Sequence, residues 1–205
     1  MNYENIPPKI KEIIIGLALG DLHIRQRCVN TCLCFKQSII NEEYIIHLYS
    51  LFQEYCTMSP RTYGQKVGIK THQAVVFDTL TYSAFNYYRD LFYKDKIKVV
   101  PLNIGNLLTV RGLAYWAMDD GSPDRSGFML YTNAFTENEV KLLVQVLKDK
   151  FCLNSSIHTR NDTKKKPYII YIKADSWVKF KTLVEPYFIP HFKYKLILRG
   201  SHKLK

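Results

Sequence analysis

Asp21 and Asp120 each close an apolar stretch. The first reads Ile13-Ile14-Ile15-Gly16-Leu17-Ala18-Leu19-Gly20-Asp21, and the second Leu113-Ala114-Tyr115-Trp116-Ala117-Met118-Asp119-Asp120-Gly121. Each spans about two and a half helical turns, so each acid stands where a buried helix leaves the core. A duplicated unit whose helices meet would bring the two carboxylates together. Like charges held close repel unless cations or protons intervene, so such a pair favours a hard divalent cation. The rest of the chain is basic, with 29 Lys and Arg against 18 Asp and Glu, a formal charge of +11 and a pI near 9.3. That balance suits a polyanionic substrate.

The elements that would carry these acids read as one unit used twice. After Asp21 comes a β-like stretch, Cys28 to Lys36, then a helix with Leu48, Leu51, Phe52 and Tyr55 at helical spacing. After Asp120 comes a β-like stretch, Gly127 to Asn133, then a helix with Val140, Leu143, Val144 and Leu147 at the same spacing. That second helix opens on Thr136-Glu137-Asn138-Glu139, a capping box. Basic β-rich segments follow in both halves, Arg61 to Thr81 and Ser156 to Lys173, and Lys164-Lys165-Lys166-Pro167 reads as a hairpin turn. A last helix closes each half, around Ala84 to Tyr93 and around Ser176 to Val184. Pro101 to Asn106 reads as a linker, which divides the chain into residues 1–102 and 103–205.

Each half ends near a lysine. The interval from Asp21 to Lys98 is 77 residues and that from Asp120 to Lys195 is 75, a match that argues for duplication. Lys96 is the alternative in the first half, because Lys94-Asp95-Lys96-Ile97-Lys98 blurs the register.

Other chemistry is less favoured. Five cysteines show no disulfide pattern, and Cys32-Leu33-Cys34 lacks the Cys-x2-Cys spacing of a zinc knuckle. The six histidines form no metal-ligand spacing. The longest apolar run, Ile13 to Gly20, falls far short of the roughly 20 residues that cross a bilayer, so no membrane partner is expected. The N-terminus shows neither signal- nor transit-peptide character.

The second stretch, Leu113 to Gly121, resembles the motif of the LAGLIDADG homing endonucleases, and Ile14 to Leu22 occupies the same nine positions in the first half. The likeness is to the single-chain, two-motif type found in introns of organellar large-ribosomal-RNA genes, and it extends to Tyr194-Lys195-Leu196. Leu22 stands where the nominal motif has Gly, and Tyr115 where the first copy has Gly16. Gly16-x-x-x-Gly20 would let the helix backbones approach.

The resemblance implies an α+β fold of two pseudo-symmetric αββαββα halves. Their antiparallel sheets would form a DNA-binding saddle, with the motif helices packed at the central interface. It implies site-specific cleavage of both strands of a duplex DNA target with Mg²⁺, for which Mn²⁺ would substitute and with which Ca²⁺ would support binding without efficient cleavage. The rival activity is that of an RNA maturase acting on the host intron. Asp21 and Asp120 become the catalytic metal ligands, with the carbonyls of Gly20 and Asp119 added, and Lys98 and Lys195 the catalytic lysines. A monomer in the mitochondrion is expected, with the chloroplast as the alternative.

DNA contacts are expected from basic, amide and tyrosine side chains on the β-like segments. In the first half these are Arg25, Arg27, Asn30, Lys36, Gln37, Arg61, Tyr63, Gln65, Lys66, Lys70 and Gln73. In the second they are Arg125, Asn133, Arg160, Asn161, Lys164, Lys165, Lys166, Tyr171 and Lys173. Strand alternation puts Leu33 and Phe35 on the core side, and Asn30 and Lys36 on the groove side.

Overall fold

The apolar periodicities become helices and the alternating segments become strands. This computed structural model describes residues 6–67, 70–159 and 168–198, with the backbone only at 65–67 and 70–72. By its contacts the chain divides into two units. One joins residues up to Lys11 with Asp21–Asp90, and the other joins Glu12–Gly20 with the chain from Leu91 onward.

The first unit is built on a four-stranded antiparallel sheet of β1 (His23–Arg27), β2 (Asn30–Ser38), β3 (Arg61–Val67) and β4 (Lys70–Asp78), in the order β1-β2-β4-β3. Its strands leave β-branched and aromatic residues on one face. There Phe35 stacks on Phe77 at 4.3 Å and meets Phe52 of the covering helix α2 (Glu42–Phe52) at 5.0 Å. Tyr44, Ile45, Leu48 and Phe52 form the buried stripe of α2. Leu33 and Phe35 are buried and Lys36 is exposed, as alternation requires. The strand β1 is not apparent from its sequence, His-Ile-Arg-Gln-Arg, which carries a single buried residue, Ile24. Cys28, expected inside the strand, instead lies in the connection to β2 with φ 53°.

The second unit repeats the topology with β7 (Gly121–Asp124), β8 (Gly127–Tyr131), β9 (Ser155–Thr159) and β10 (Tyr168–Ile172), in the order β7-β8-β10-β9. The helices α6 (Glu137–Phe151) and α7 (Ala174–Val184) contribute the buried Leu143, Leu147, Phe180 and Val184. Phe128 packs against Phe180 at 4.8 Å. Thr136 and Glu139 close the expected capping box. The β8 strand stops at Tyr131, two residues before the expected end, and β7 has the sequence Gly-Ser-Pro-Asp, which no propensity would select. Pairing with β8 imposes it.

Further elements lie outside the repeat. A hairpin of β5 (Tyr93–Lys94) and β6 (Ile97–Lys98) turns on Asp95 and Lys96, both with positive φ (46° and 69°), the backbone of a tight two-residue connection. The expected linker contains the short helix α4 (Ile104–Leu107).

Candidate functional site

Two helices carry the motifs, α1 (Pro8–Leu19) and α5 (Val110–Asp120). Residues Glu12–Gly20 belong to the second unit, where they lie against α5. The contact runs through backbone. A Cβ on Gly16 would stand 2.0 Å from the carbonyl oxygen of Gly112, and one on Gly112 would stand 3.0 Å from that of Glu12. Gly112, one turn before Tyr115, therefore supplies the small surface, and the bulk of Tyr115 is accommodated in the core at 4% exposure. Four residues on from Gly16, a Cβ on Gly20 would stand 2.6 Å from Cβ of Asp119. At the opposite end of the helices, Arg111 donates to Glu12 at 2.7 Å and lies 5.1 Å from the Tyr187 ring.

One backbone carbonyl near the end of each motif helix accepts from a lysine. Lys98 Nζ donates to the Gly20 carbonyl at 2.5 Å, and Lys195 Nζ donates to the Met118 carbonyl at 2.5 Å. The hairpin β5–β6 delivers Lys98, while Lys96 is exposed in its turn. Lys195 comes from a 3-10 helix, Pro190–Leu196, and is buried beside the Phe192 ring at 4.4 Å. A helix C-terminus carries partial negative charge and unsatisfied carbonyls, so it draws cations. At each motif helix one ammonium satisfies a carbonyl within two residues of an aspartate.

The Asp21 carboxylate is exposed and accepts from Gln37 Nε2 at 2.6 Å, while Asn41 Nδ2 donates to Gln37 Oε1 at 3.2 Å. Gln37 was expected to face DNA with Lys36. Its strand partner is the buried Val75, the parity opposite to Lys36, yet at the strand end its side chain turns to Asp21 and lines the open face. Asp119 and Asp120 are half-buried. The available donors are carboxylate and carbonyl oxygens. Among the described residues no group of three or more His, Cys, Asp or Glu side chains forms a metal cage. Such a sparse all-oxygen set fits Mg²⁺, which keeps several waters and takes one or two carboxylates. It does not fit zinc. The Cys32 and Cys34 sulfurs lie 3.8 Å apart, but burial, followed by the neighbouring Cys32 and Asp78, pushes the Cys34 thiol up and away from the thiolate a zinc ligand needs.

The open face of the first sheet forms a groove of about 770 Å³. Asp21, Arg25, Lys36, Gln37, Arg61, Tyr63 and Gln73 line it, and among the lining residues not anticipated are the polar His23, Cys34 and Asp78. Lys36 Nζ lies 5.7 Å from the Tyr63 ring. Arg27 lines a neighbouring hollow and reaches Asp78 at 3.7 Å. Asn30 does not line the groove. It sits at the β1–β2 connection, where Asn86 donates to it at 3.4 Å, because the hairpin end curls against the first turn of α3 (Asn86–Phe92). On the second sheet Tyr171 shares its face with Met129 and Ser156, and its ring meets His158 at 5.1 Å. Arg125 (φ 47°), Asn133 and Lys173 are exposed at strand ends. Arg160, Asn161, Lys164, Lys165 and Lys166 lie outside the described residues, as do the side chains of Gln65, Lys66 and Lys70.

The family model described as the LAGLIDADG DNA endonuclease family matches residues 11–180. Probable intron-encoded endonuclease 1 of Wickerhamomyces canadensis is 35% identical over 91% of this chain and 83% of its own length. Cytochrome b mRNA maturase bI2 of Saccharomyces cerevisiae is 34% identical over 94% of this chain but 49% of its own length, so the chain spans about half of that relative. Among solved structures, the homing endonuclease I-WcaI bound to its DNA recognition sequence superimposes with a TM-score of 0.86 at 32% identity, over 93% of this chain and 87% of that one. I-DmoI in complex with DNA and Mn shares the fold at a TM-score of 0.51 and 13% identity, over 88% of this chain and 98% of that one.

Proposed function

Because the chain belongs to the LAGLIDADG DNA endonuclease family, we propose that it is a site-specific endonuclease of double-stranded DNA acting in intron homing. The observation that carries this reading is the matched pair of helix ends, each bearing an aspartate and each receiving a lysine on a nearby carbonyl. The reaction is hydrolysis of one phosphodiester bond in each strand. Asp21 and Asp120 would be the carboxylate ligands of a divalent cation, with the Asp119 carbonyl, and the lone pair that Lys98 leaves on the Gly20 carbonyl, as further oxygen donors. Mg²⁺ is the physiological ion, Mn²⁺ replaces it, and Ca²⁺ supports binding without efficient cleavage. When bound, the cation lowers the pKa of an attacking water and offsets charge on the phosphate.

The protein's own groups do the rest. Gln37, held by Asn41, orients the Asp21 carboxylate. Lys98 and Lys195 are held by carbonyls at the helix ends, where their positive charge stabilises negative charge developing on the scissile phosphates. Basic and tyrosine residues of the two sheets contact phosphate and base edges. The chain acts as a monomer in the mitochondrion.

The test is the double variant Asp21→Asn, Asp120→Asn on a duplex library with Mg²⁺. It binds the selected target as the wild type does and cuts neither strand. Cleavage at the wild-type rate refutes the metal assignment. A maturase reading is supported by the likeness to cytochrome b mRNA maturase bI2 of Saccharomyces cerevisiae and of Debaryomyces hansenii. It predicts tight binding of the host-intron RNA, and gains over the endonuclease reading if no duplex in the library is cut.

A further inference from the structure

We propose that Arg25 reads a guanine in the major groove and that Asp78 is the positioning residue that holds its guanidinium for the task. The inference rests on the DNA reading above and adds to it a pair that determines specificity.

The strand register places both residues on the open face, Arg25 on the edge strand β1 and Asp78 at the end of β4. His23, Cys34 and Asp78 form one row across β1, β2 and β4. Arg25 stands two residues along β1 on the same face, opposite Cys32. Its Nη2 lies 2.7 Å from Asp78 Oδ2, and Arg27 Nη2 lies 3.7 Å from the same oxygen. The side chains of Arg25 and Asp78 are both about four-tenths exposed, at 39% and 38%, so the pair is neither sealed in the core nor adrift in solvent. Arg25 Nε is enclosed and donates to no acceptor among the described residues, while Cys32 stands beside the guanidinium as a further partner. A guanidinium carries five N–H groups, so donors remain beyond those that Asp78 and Cys32 engage.

Charge decides between phosphate and base. A carboxylate on a face that meets phosphates opposes binding unless it does something else there. Asp78 already offsets the charge of Arg25, so this arginine adds little to the long-range attraction that makes phosphate contacts favourable. What survives pairing is the rigid fork of donors, and guanine offers that fork two neutral acceptors, O6 and N7. Holding the guanidinium on Asp78 before binding also removes rotamer freedom that recognition would otherwise have to remove.

The test is cleavage selection from a randomised duplex library by the wild type, Arg25→Ala, Asp78→Ala and the double variant. Wild type enriches a target with one G·C pair that Arg25→Ala no longer prefers, the loss at that pair being roughly 5- to 150-fold while other positions keep their preference. Asp78→Ala relaxes the same pair, and the double variant relaxes it no further, because the two residues act as one unit. Phosphate contact predicts instead that Arg25→Ala weakens all sequences alike, and that result overturns the proposal. So does relaxation by Asp78→Ala at a different pair. Wild type that enriches no sequence at all overturns the endonuclease reading itself, and this inference with it.

Discussion

Lys98 and Lys195 occupy equivalent places in chemically different surroundings. Lys98 is half-buried at the base of a two-stranded hairpin, and Lys195 is nine-tenths buried against Phe192. A buried ammonium is costly unless its hydrogen bonds are made, so the Met118 carbonyl and the Phe192 ring hold Lys195 in one position. Methionine keeps most of the aliphatic volume and removes the charge. Lys195→Met therefore folds and binds target, while single-turnover cleavage falls about 100-fold, the scale of losing one preorganised charge donor. Lys96→Ala, at the exposed turn of the hairpin, leaves the rate unchanged. Equal losses from both substitutions would mean that the lysines act only through net charge.

At the level of elements, the motif helices meet through glycine. A methyl on Gly16 would enter the backbone of Gly112, which cannot yield as a side chain can. Gly16→Ala therefore lowers the unfolding free energy by about 3 kcal/mol or more, beyond the usual cost of overpacking, measured by urea denaturation. Thr136→Ala is the contrasting case. It removes one side of the capping box of α6, at an exposed helix start, and costs about 1 kcal/mol. If Gly16→Ala proved as mild as the cap variant, the backbone contact between the helices would not exist in solution.

For the whole molecule, pH acts on a few enclosed groups. Burial, then the charge of Asp78, pushes the Cys56 thiol from 9.0 up to about 11, and burial pushes the Tyr115 phenol from 10.0 up to about 12. Raised folded-state values favour the neutral forms, so this stability is complete below pH 9 and is lost as pH rises through 9 to 12. Burial, aided by Lys9, lowers His47 below 6.5. Its contribution is present above that pH and is lost as pH falls. A melting-temperature profile should therefore be flat between about pH 6.5 and 9 and decline on both sides. Cys56→Ser should remove part of the alkaline decline, and an unchanged profile would exclude the thiol as a source. The net charge of +11 acts through salt instead, weakening duplex binding as ionic strength rises.

Much of this protein was legible in one dimension. Period and spacing alone identified the duplicated unit, the main helices, the capping box and the two acids at helix ends, because helical burial writes a 3.6-residue pattern directly into the chain. The resemblance of the motif to a family was likewise a matter of adjacent residues. Pairing decided the rest. β1 and β7 are strands because β2 and β8 hold them, and nothing in His-Ile-Arg-Gln-Arg or Gly-Ser-Pro-Asp demands it. Gly112 meets Gly16, and Asp78 meets Arg25, across 96 and 53 positions of chain. Gln37 turns to Asp21 at the strand end, although register gives it the parity opposite to Lys36. Contacts between residues distant in sequence depend on register and on helix crossing, and neither leaves a local mark for a reader of the chain.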